Sequence, residues 1–311
     1  MTRTRPDNVT LAAFAATIVI AGSNFVAVRF SNQELPPFWG ATLRFAIACA
    51  LFFGVMRWRG AALPRGRALV GVAVYGALGF GAFYALMYWA LVSIPAGLAS
   101  VIVALVPLLT FLLAIAHGLE TFRVRGLVGG LIAVAGIAVV FAEQLSGRIE
   151  VAALLACIGA AVCAAESTVL VKLFPRVDPA ATNAVSILAG LVILAPLSLV
   201  AGEAWTMPQR LDTILALGYL VTIGSVGMFA LFLYVLRRWT ATATSYLLVL
   251  SPLVTVAVAS LLAGERITPQ FALGGALVGV GVYIGALSAP SSDPVEDTHG
   301  REGQDRRRSL A

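Results

Sequence analysis

Apolar runs long enough to cross a bilayer recur along almost the whole chain and constrain the fold more than any single motif. A helix spanning a ~30 Å hydrocarbon layer needs ~20 predominantly apolar residues. Segments near 9–29, 37–56, 68–92, 96–116, 124–142, 151–173, 179–201, 212–236, 240–263 and 270–288 meet that need. The runs are continuous rather than alternating, which predicts helices instead of the ~10-residue strands of a barrel. The expected fold is all-α: a polytopic membrane protein with ten transmembrane helices. Composition agrees, with 60% of residues hydrophobic and 12% charged, against roughly 25% charged in soluble domains. The surplus apolar surface must face lipid. The connections are too short to hold a soluble domain.

The first run is too long for a signal-peptide core and lacks a small-residue cleavage pattern, so the N-terminus is expected to be an ordinary short tail. The stretch 291–311 is polar, with Arg306, Arg307 and Arg308 in a row, and is expected to be a disordered cytoplasmic tail. Cys49, Cys157 and Cys163 fall inside spans, where they read as small core residues rather than a disulfide framework.

Residues 96–140 align without a gap on 241–285 at an offset of 145. Pro107 meets Pro252, Glu120 meets Glu265, and Gly129, Gly130 and Gly136 meet Gly274, Gly275 and Gly281. The offset carries back into the third and eighth spans, where Gly79 meets Gly224 and Tyr84 meets Phe229. An offset of 143 sets Asn24 on Ser167 and Arg29 on Lys172. Two five-helix repeats result, 1–145 and 146–290. Five is odd, so the second copy must enter the bilayer from the opposite side. Charge placement tests this, because cytoplasmic loops concentrate Lys and Arg. Arg57, Arg59, Arg65 and Arg67 follow the second span, whereas Arg210 alone follows the seventh; Arg237 and Arg238 follow the eighth, and no basic residue follows the third. The bias places both termini in the cytoplasm.

The order of these features resembles the EamA family of the drug/metabolite transporter superfamily. The residues that carry the resemblance are Gly22-Ser23-Asn24-Phe25, Leu43-Arg44-Phe45, the run from Ala96 through Pro107 to Glu120, and Ser251-Pro252 followed by Gly264-Glu265-Arg266. The first copy departs from the usual pattern, with Gly118-Leu119-Glu120 where Gly-Glu-Arg is common. The resemblance implies a multi-pass protein of the cell (inner) membrane, with a central cavity between two inverted EamA-like repeats. It also implies movement of amino acids or related small metabolites, often outward.

Candidate substrate-binding residues are polar or aromatic groups in spans that otherwise need neither. Arg44 lies about two turns inside the second span, and residues 179–201 hold no basic counterpart. Its guanidinium suits a carboxylate through two hydrogen bonds; snorkelling to headgroups is the competing reading. Glu166 suits proton binding or an amine contact, against a salt bridge toward Lys172. Asn24 suits either a substrate hydrogen bond or helix packing. Phe80, Tyr84, Met87 and Tyr88 share one helix face and form an aromatic wall or a packing stripe, with Phe229 and Phe232 as repeat partners. Pro107 and Pro252 each remove a backbone donor and can kink their helices. Gly126 with Gly130, Gly275 with Gly279, and Gly281 with Gly285 have the spacing of close helix contacts.

No nucleotide-binding loop of the Walker kind is present, and His117 and His299 make no metal cluster. The basic residues are spread over short loops, which argues for topology rather than nucleic-acid binding. No catalytic role, cofactor or metal is expected. The expected partners are a small-molecule substrate and the lipid bilayer, with monomer and homodimer both open. A membrane-embedded enzyme or a non-transporting module are the rival classes.

Overall fold

The computed structural model describes residues 8–119, 122, 124–144, 150–175, 177–238, 241–264 and 268–284. Among them all regular structure is helical. The helices are α1 (Asn8–Ser31), α2 (Pro37–Trp58), α3 (Arg67–Ser93), α4 (Ala96–Ala116), α5 (Val124–Gln144), α6 (Val151–Leu173), α7 (Pro179–Val200), α8 (211–238), α9 (Ala241–Ala263) and α10 (Pro269–Val282). Seven of them, α1 to α4 and α6 to α8, are long and apolar enough to cross a membrane. The other three carry shorter apolar stretches, Val124–Gly136, Leu250–Ala263 and Pro269–Gly281. The expectations for Glu120, Glu265 and the tail 291–311 fall outside the described residues.

Helix ends follow local chemistry. Gly60, Gly118, Gly202 and Gly264 all have positive φ, between 65° and 70°, and stand just past α2, α4, α7 and α9. After α2, α4 and α7 the next amide reaches back five residues: Ala61 to Met56, Leu119 to Ala114 and Glu203 to Ser198. This stop satisfies terminal carbonyls and needs a left-handed residue, which glycine supplies without a Cβ penalty. The caps recur in matching places in both repeats.

The helices interlock across the repeats. The first helix of each repeat packs into the other: α1 lies against α8 and α9, and α6 lies against α3 and α4. α2 packs on α7, and α5 packs chiefly on α10, away from the centre. The α5–α10 contact shows the two-fold relation directly. A Cβ on Gly136 would lie 2.7 Å from the Gly274 carbonyl oxygen and 2.7 Å from the Val278 nitrogen; one on Gly281 would lie 2.5 Å from the Gly129 oxygen and 2.5 Å from the Ala133 nitrogen. Each atom in the first set is the repeat mate of one in the second. Gly126 and Gly130 instead face Phe111 and Leu108 of α4.

The two prolines act differently. α4 is interrupted at Ala104 and Leu105, so that Pro107 falls in the first turn of a new helical segment, where its missing N–H costs nothing. Pro252 sits inside an unbroken α9. A break in the helix thus accompanies Pro107 and not Pro252.

Two further irregularities match across the repeats. α3 widens into a π-helical turn at Ala77–Ala82, and α8 does the same at Thr222–Gly227, an offset of 145 at both ends. Such turns are rare in helices and concentrate at functional sites.

Candidate functional site

A cavity of about 280 Å³ lies between the repeats. Its wall includes Asn24, Phe25 and Val28 of α1, Arg44 of α2, one face of α3 from Tyr75 through Phe80 and Tyr84 to Leu91, Val103 and Val106 of α4, Ser167 and Thr168 of α6, Met228 of α8 and Ser251 of α9. Its size is near the lower end of the ~300–1,000 Å³ typical of small-molecule sites. A second cavity of about 510 Å³, between α4, α9 and α10, is lined by residues such as Val101, Leu250, Val256, Phe271 and Val278. Among the described residues, Tyr283 apart, its wall offers no polar side chain to orient a solute.

Arg44 is 2% exposed and crosses from the first repeat to the second. Its Nε donates to Ser225 Oγ at 3.3 Å, its Nη2 to the Gly224 carbonyl at 3.2 Å, and its Nη1 to Tyr88 Oη at 3.4 Å. The guanidinium carbon also lies 5.1 Å from the Phe45 ring centre and 5.4 Å from that of Tyr84, within cation–π range. The π turn makes this possible. In an α-helix the Met228 amide would bond the Gly224 oxygen; here it bonds Ile223 instead, leaving the Gly224 oxygen for Arg44. Asn24 Nδ2 donates to the same oxygen at 3.2 Å. Its Oδ1 is buried with no hydrogen-bond partner among the described residues.

Phe80, Tyr84 and Tyr88 line the cavity together with Met87. Phe45 stands behind them, edge-on to Phe80 and Tyr84 at 5.8 and 4.5 Å. Phe80 lies within the π turn, and Tyr75 and Gly79 before it join the same wall. Phe232 does not line the cavity, and the Phe229 side chain lies outside the described residues, so the described aromatic wall comes from the first repeat.

Glu166 is placed elsewhere. Its Oε1 lies 2.7 Å from His117 Nε2 at the end of α4, and it is not a lining residue. The reason is helical phase: Ala164, Ser167 and Thr168 face the cavity, and Glu166, two residues from Ala164, points roughly 200° round the helix. The expected partner Lys172 is replaced by His117. Five of the six sequence candidates therefore share one cavity, and the sixth does not.

Sequence reasoning missed Ser225 and a polar cluster at the start of α2. The Glu203 carboxylate accepts from the Phe38 and Trp39 amides at 3.1 and 2.7 Å and from Ser198 Oγ at 2.7 Å. It caps the N-terminus of α2 from the other repeat, where free amides and the helix dipole favour an anion. Trp39 stacks on Trp205 at 4.5 Å and donates to the Thr206 carbonyl. Glu34 accepts from the Gln209 amide at 2.6 Å. The Gln209 amide holds its carboxyl below the ordinary carboxylate value. At the repeat-related end, α7 is capped by its own Asp178, through the Ala180 and Ala181 amides. The α7–α8 connection is thus tied to the start of α2.

A helical membrane protein with interlocked repeats around a solute-sized cavity has the architecture of a small-molecule transporter. The model of the EamA-like transporter family matches residues 9–142 and again 151–286, and the chain belongs to that family. It is 32% identical over 262 residues to the uncharacterized inner membrane transporter YedA of Escherichia coli (strain K12), covering 82% of this chain and 83% of that protein. An uncharacterized transporter of Archaeoglobus fulgidus is 26% identical, over 87% of this chain and 94% of that one. A chain solved by crystallography superposes with a TM-score of 0.64 at 21% identity, covering 91% of this chain and 98% of that one, which supports the fold alone.

Proposed function

We propose that the protein is a secondary transporter that exports amino acids or related small metabolites through the cavity between its repeats. In this reading all ten helices cross the inner membrane, and both termini are cytoplasmic. Arg44, Asn24, Phe80, Tyr84 and Tyr88 contact the substrate. The observation that carries the reading is that one cavity takes its walls from both repeats and is flanked by π turns at matching positions. Alternating access at a repeat interface needs such a shared site at mid-membrane. The described walls of the cavity all come from one chain, so a monomer suffices in this reading; a homodimer would hold two such sites.

The test is flux in liposomes holding the purified full-length chain. Vesicles loaded with unlabelled amino acids should accumulate labelled ones by counterflow, saturably and above protein-free vesicles. Absence of counterflow across the amino acids and their keto-acid and amine relatives would remove the proposal.

A further inference from the structure

Arg44 carries a permanent charge in an almost wholly buried position, yet every described group that touches it is neutral: a serine hydroxyl, a tyrosine hydroxyl, a carbonyl oxygen and two rings. The described carboxylates are committed elsewhere. Glu34 holds Gln209 and Arg210, Glu150 holds Ser93, and Glu166 holds His117. Asp178 and Glu203 cap helices, and Asp212 pairs with Arg210. A buried charge is tolerated when it is paired, and neutral acceptors satisfy its donors without cancelling it. Three of the contacts, at 3.2 to 3.4 Å, are longer than the ~2.7–2.9 Å of charge-assisted bonds. The guanidinium also forms part of the cavity wall, and no described acidic side chain does.

Resting on the reading of this cavity as the transport site, we infer that Arg44 is its anion receptor and that the substrate carries a carboxylate. The rest of the substrate is small and largely apolar, because Phe80, Phe83, Tyr84, Met87 and Val106 face it. A zwitterion fits, its ammonium meeting ring faces and the unpartnered Asn24 Oδ1. A cation without a carboxylate does not fit, since the wall holds a fixed positive charge and no described negative one. A bound carboxylate competes with Gly224 and Ser225 for the guanidinium and gains shorter, charge-assisted bonds. Occupancy therefore loosens the link from α2 to the π turn of α8, the contact through which the substrate reaches the second repeat.

The experiment compares matched acids and amides on the full chain in lipid nanodiscs, read by ligand-induced thermal shift and by displacement titration. The probes are 3-phenylpropionate, 4-methylvalerate, leucine and phenylalanine, each beside its primary amide, with 3-phenylpropylamine as the cation. Acids should bind about tenfold or more tighter than their amides, as a charge-assisted bond exceeds a neutral one, and the amine should not compete. Arg44→Lys should weaken acid binding, and Arg44→Gln should abolish the difference between acid and amide. Equal binding of acid and amide, binding of the amine, or no binding by any acid overturns the inference in the wild-type protein, whether or not the variants fold. Liposome flux of a neutral or cationic compound without acid preference would end the role of Arg44 and leave transport standing. Acid binding with no flux of any compound would do the reverse.

Discussion

Arg44 of the first repeat donates to the carbonyl oxygen of Gly224 in the second, at 3.2 Å, and Asn24 reaches the same oxygen from a third helix. The acceptor is available because α8 is wound too wide there for its normal partner. The same release occurs in α3, where the Phe83 amide bonds Leu78 and bypasses Gly79. There the neighbour is Ser167, the repeat mate of Asn24. Its Oγ would lie 3.1 Å from a Cβ on Gly79 but donates to Ala164 of its own helix. Both repeats open the helix at one place; one fills the opening with a charge, the other with a small hydroxyl.

Gly224→Ala should test that opening. A Cβ there would overlap the Asn24 side chain and push it from the shared oxygen, and overpacking of this kind costs about 1–3 kcal/mol. Gly218→Ala in the same helix meets nothing within 4 Å. It removes backbone freedom from the unfolded chain, worth roughly 0.5–1 kcal/mol in its favour. Thermal melts in detergent should show the first variant below wild type and the second at or above it. The opposite order would remove the role given to Gly224.

Much of this was legible in the chain. Apolar run length places the seven long helices to within a few residues, since a span must match the bilayer; the tenth expected run, 270–288, ends outside the described residues. The shared prolines and glycines reveal the repeat because helix caps and close crossings tolerate few alternatives. Arg44, Asn24 and the aromatic face were readable as misfits in an apolar span. The π turns were not, because one extra residue per turn leaves no composition signal; matched Gly79 and Gly224 were the faint trace. Glu166 was placed wrongly for lack of helical phase: Ser167 beside it does face the cavity. Glu203 escaped notice because its partners, Phe38 and Trp39, are distant in sequence and are met through backbone amides that carry no residue identity.

The α5–α10 crossing should be symmetric in energy as well as in shape. Gly136→Leu and Gly281→Leu each force a side chain into the facing backbone. Both should cost similar stability, on the order of 1–3 kcal/mol or more, and lower the melting temperature by similar amounts. The double variant should lose less than the sum, because either substitution already separates the helices and contacting sites do not add. Additive losses would mean that the two glycines do not share one interface.

Inverted topology predicts where loops are exposed. Reporter fusions after residues 60, 122 and 288 should read as cytoplasmic, and one after residue 205 as external. An internal signal at 205 would contradict inversion, since the Trp205 loop and the Arg59 loop follow equivalent helices, α7 and α2.

The tie between the α1–α2 and α7–α8 connections should weaken in acid. Glu34 lies outside the spans and is held ionised chiefly by the Gln209 amide, with its pKa below the ordinary 4.5. A carboxyl whose folded pKa is depressed adds stability in full above its unfolded value. That contribution is lost as pH falls through the folded pKa, when the proton displaces the hydrogen-bonded anion. Glu34 is partly exposed and lies in a connection, which keeps the effect local, so global melting is a poor readout and amide exchange a good one. After correction for intrinsic rates, protection at Gln209 and Arg210 should be constant from pH 8 down to about pH 5 and then fall toward pH 3, the range around ordinary carboxyl titration. Glu34→Gln should show the reduced protection at every pH. Asp178→Asn, which alters a cap at the other end, should leave the Gln209 profile unchanged. Protection that ignores both acid and Glu34→Gln would show that the connection is held by the Trp39–Trp205 stack and the Glu203 cap alone.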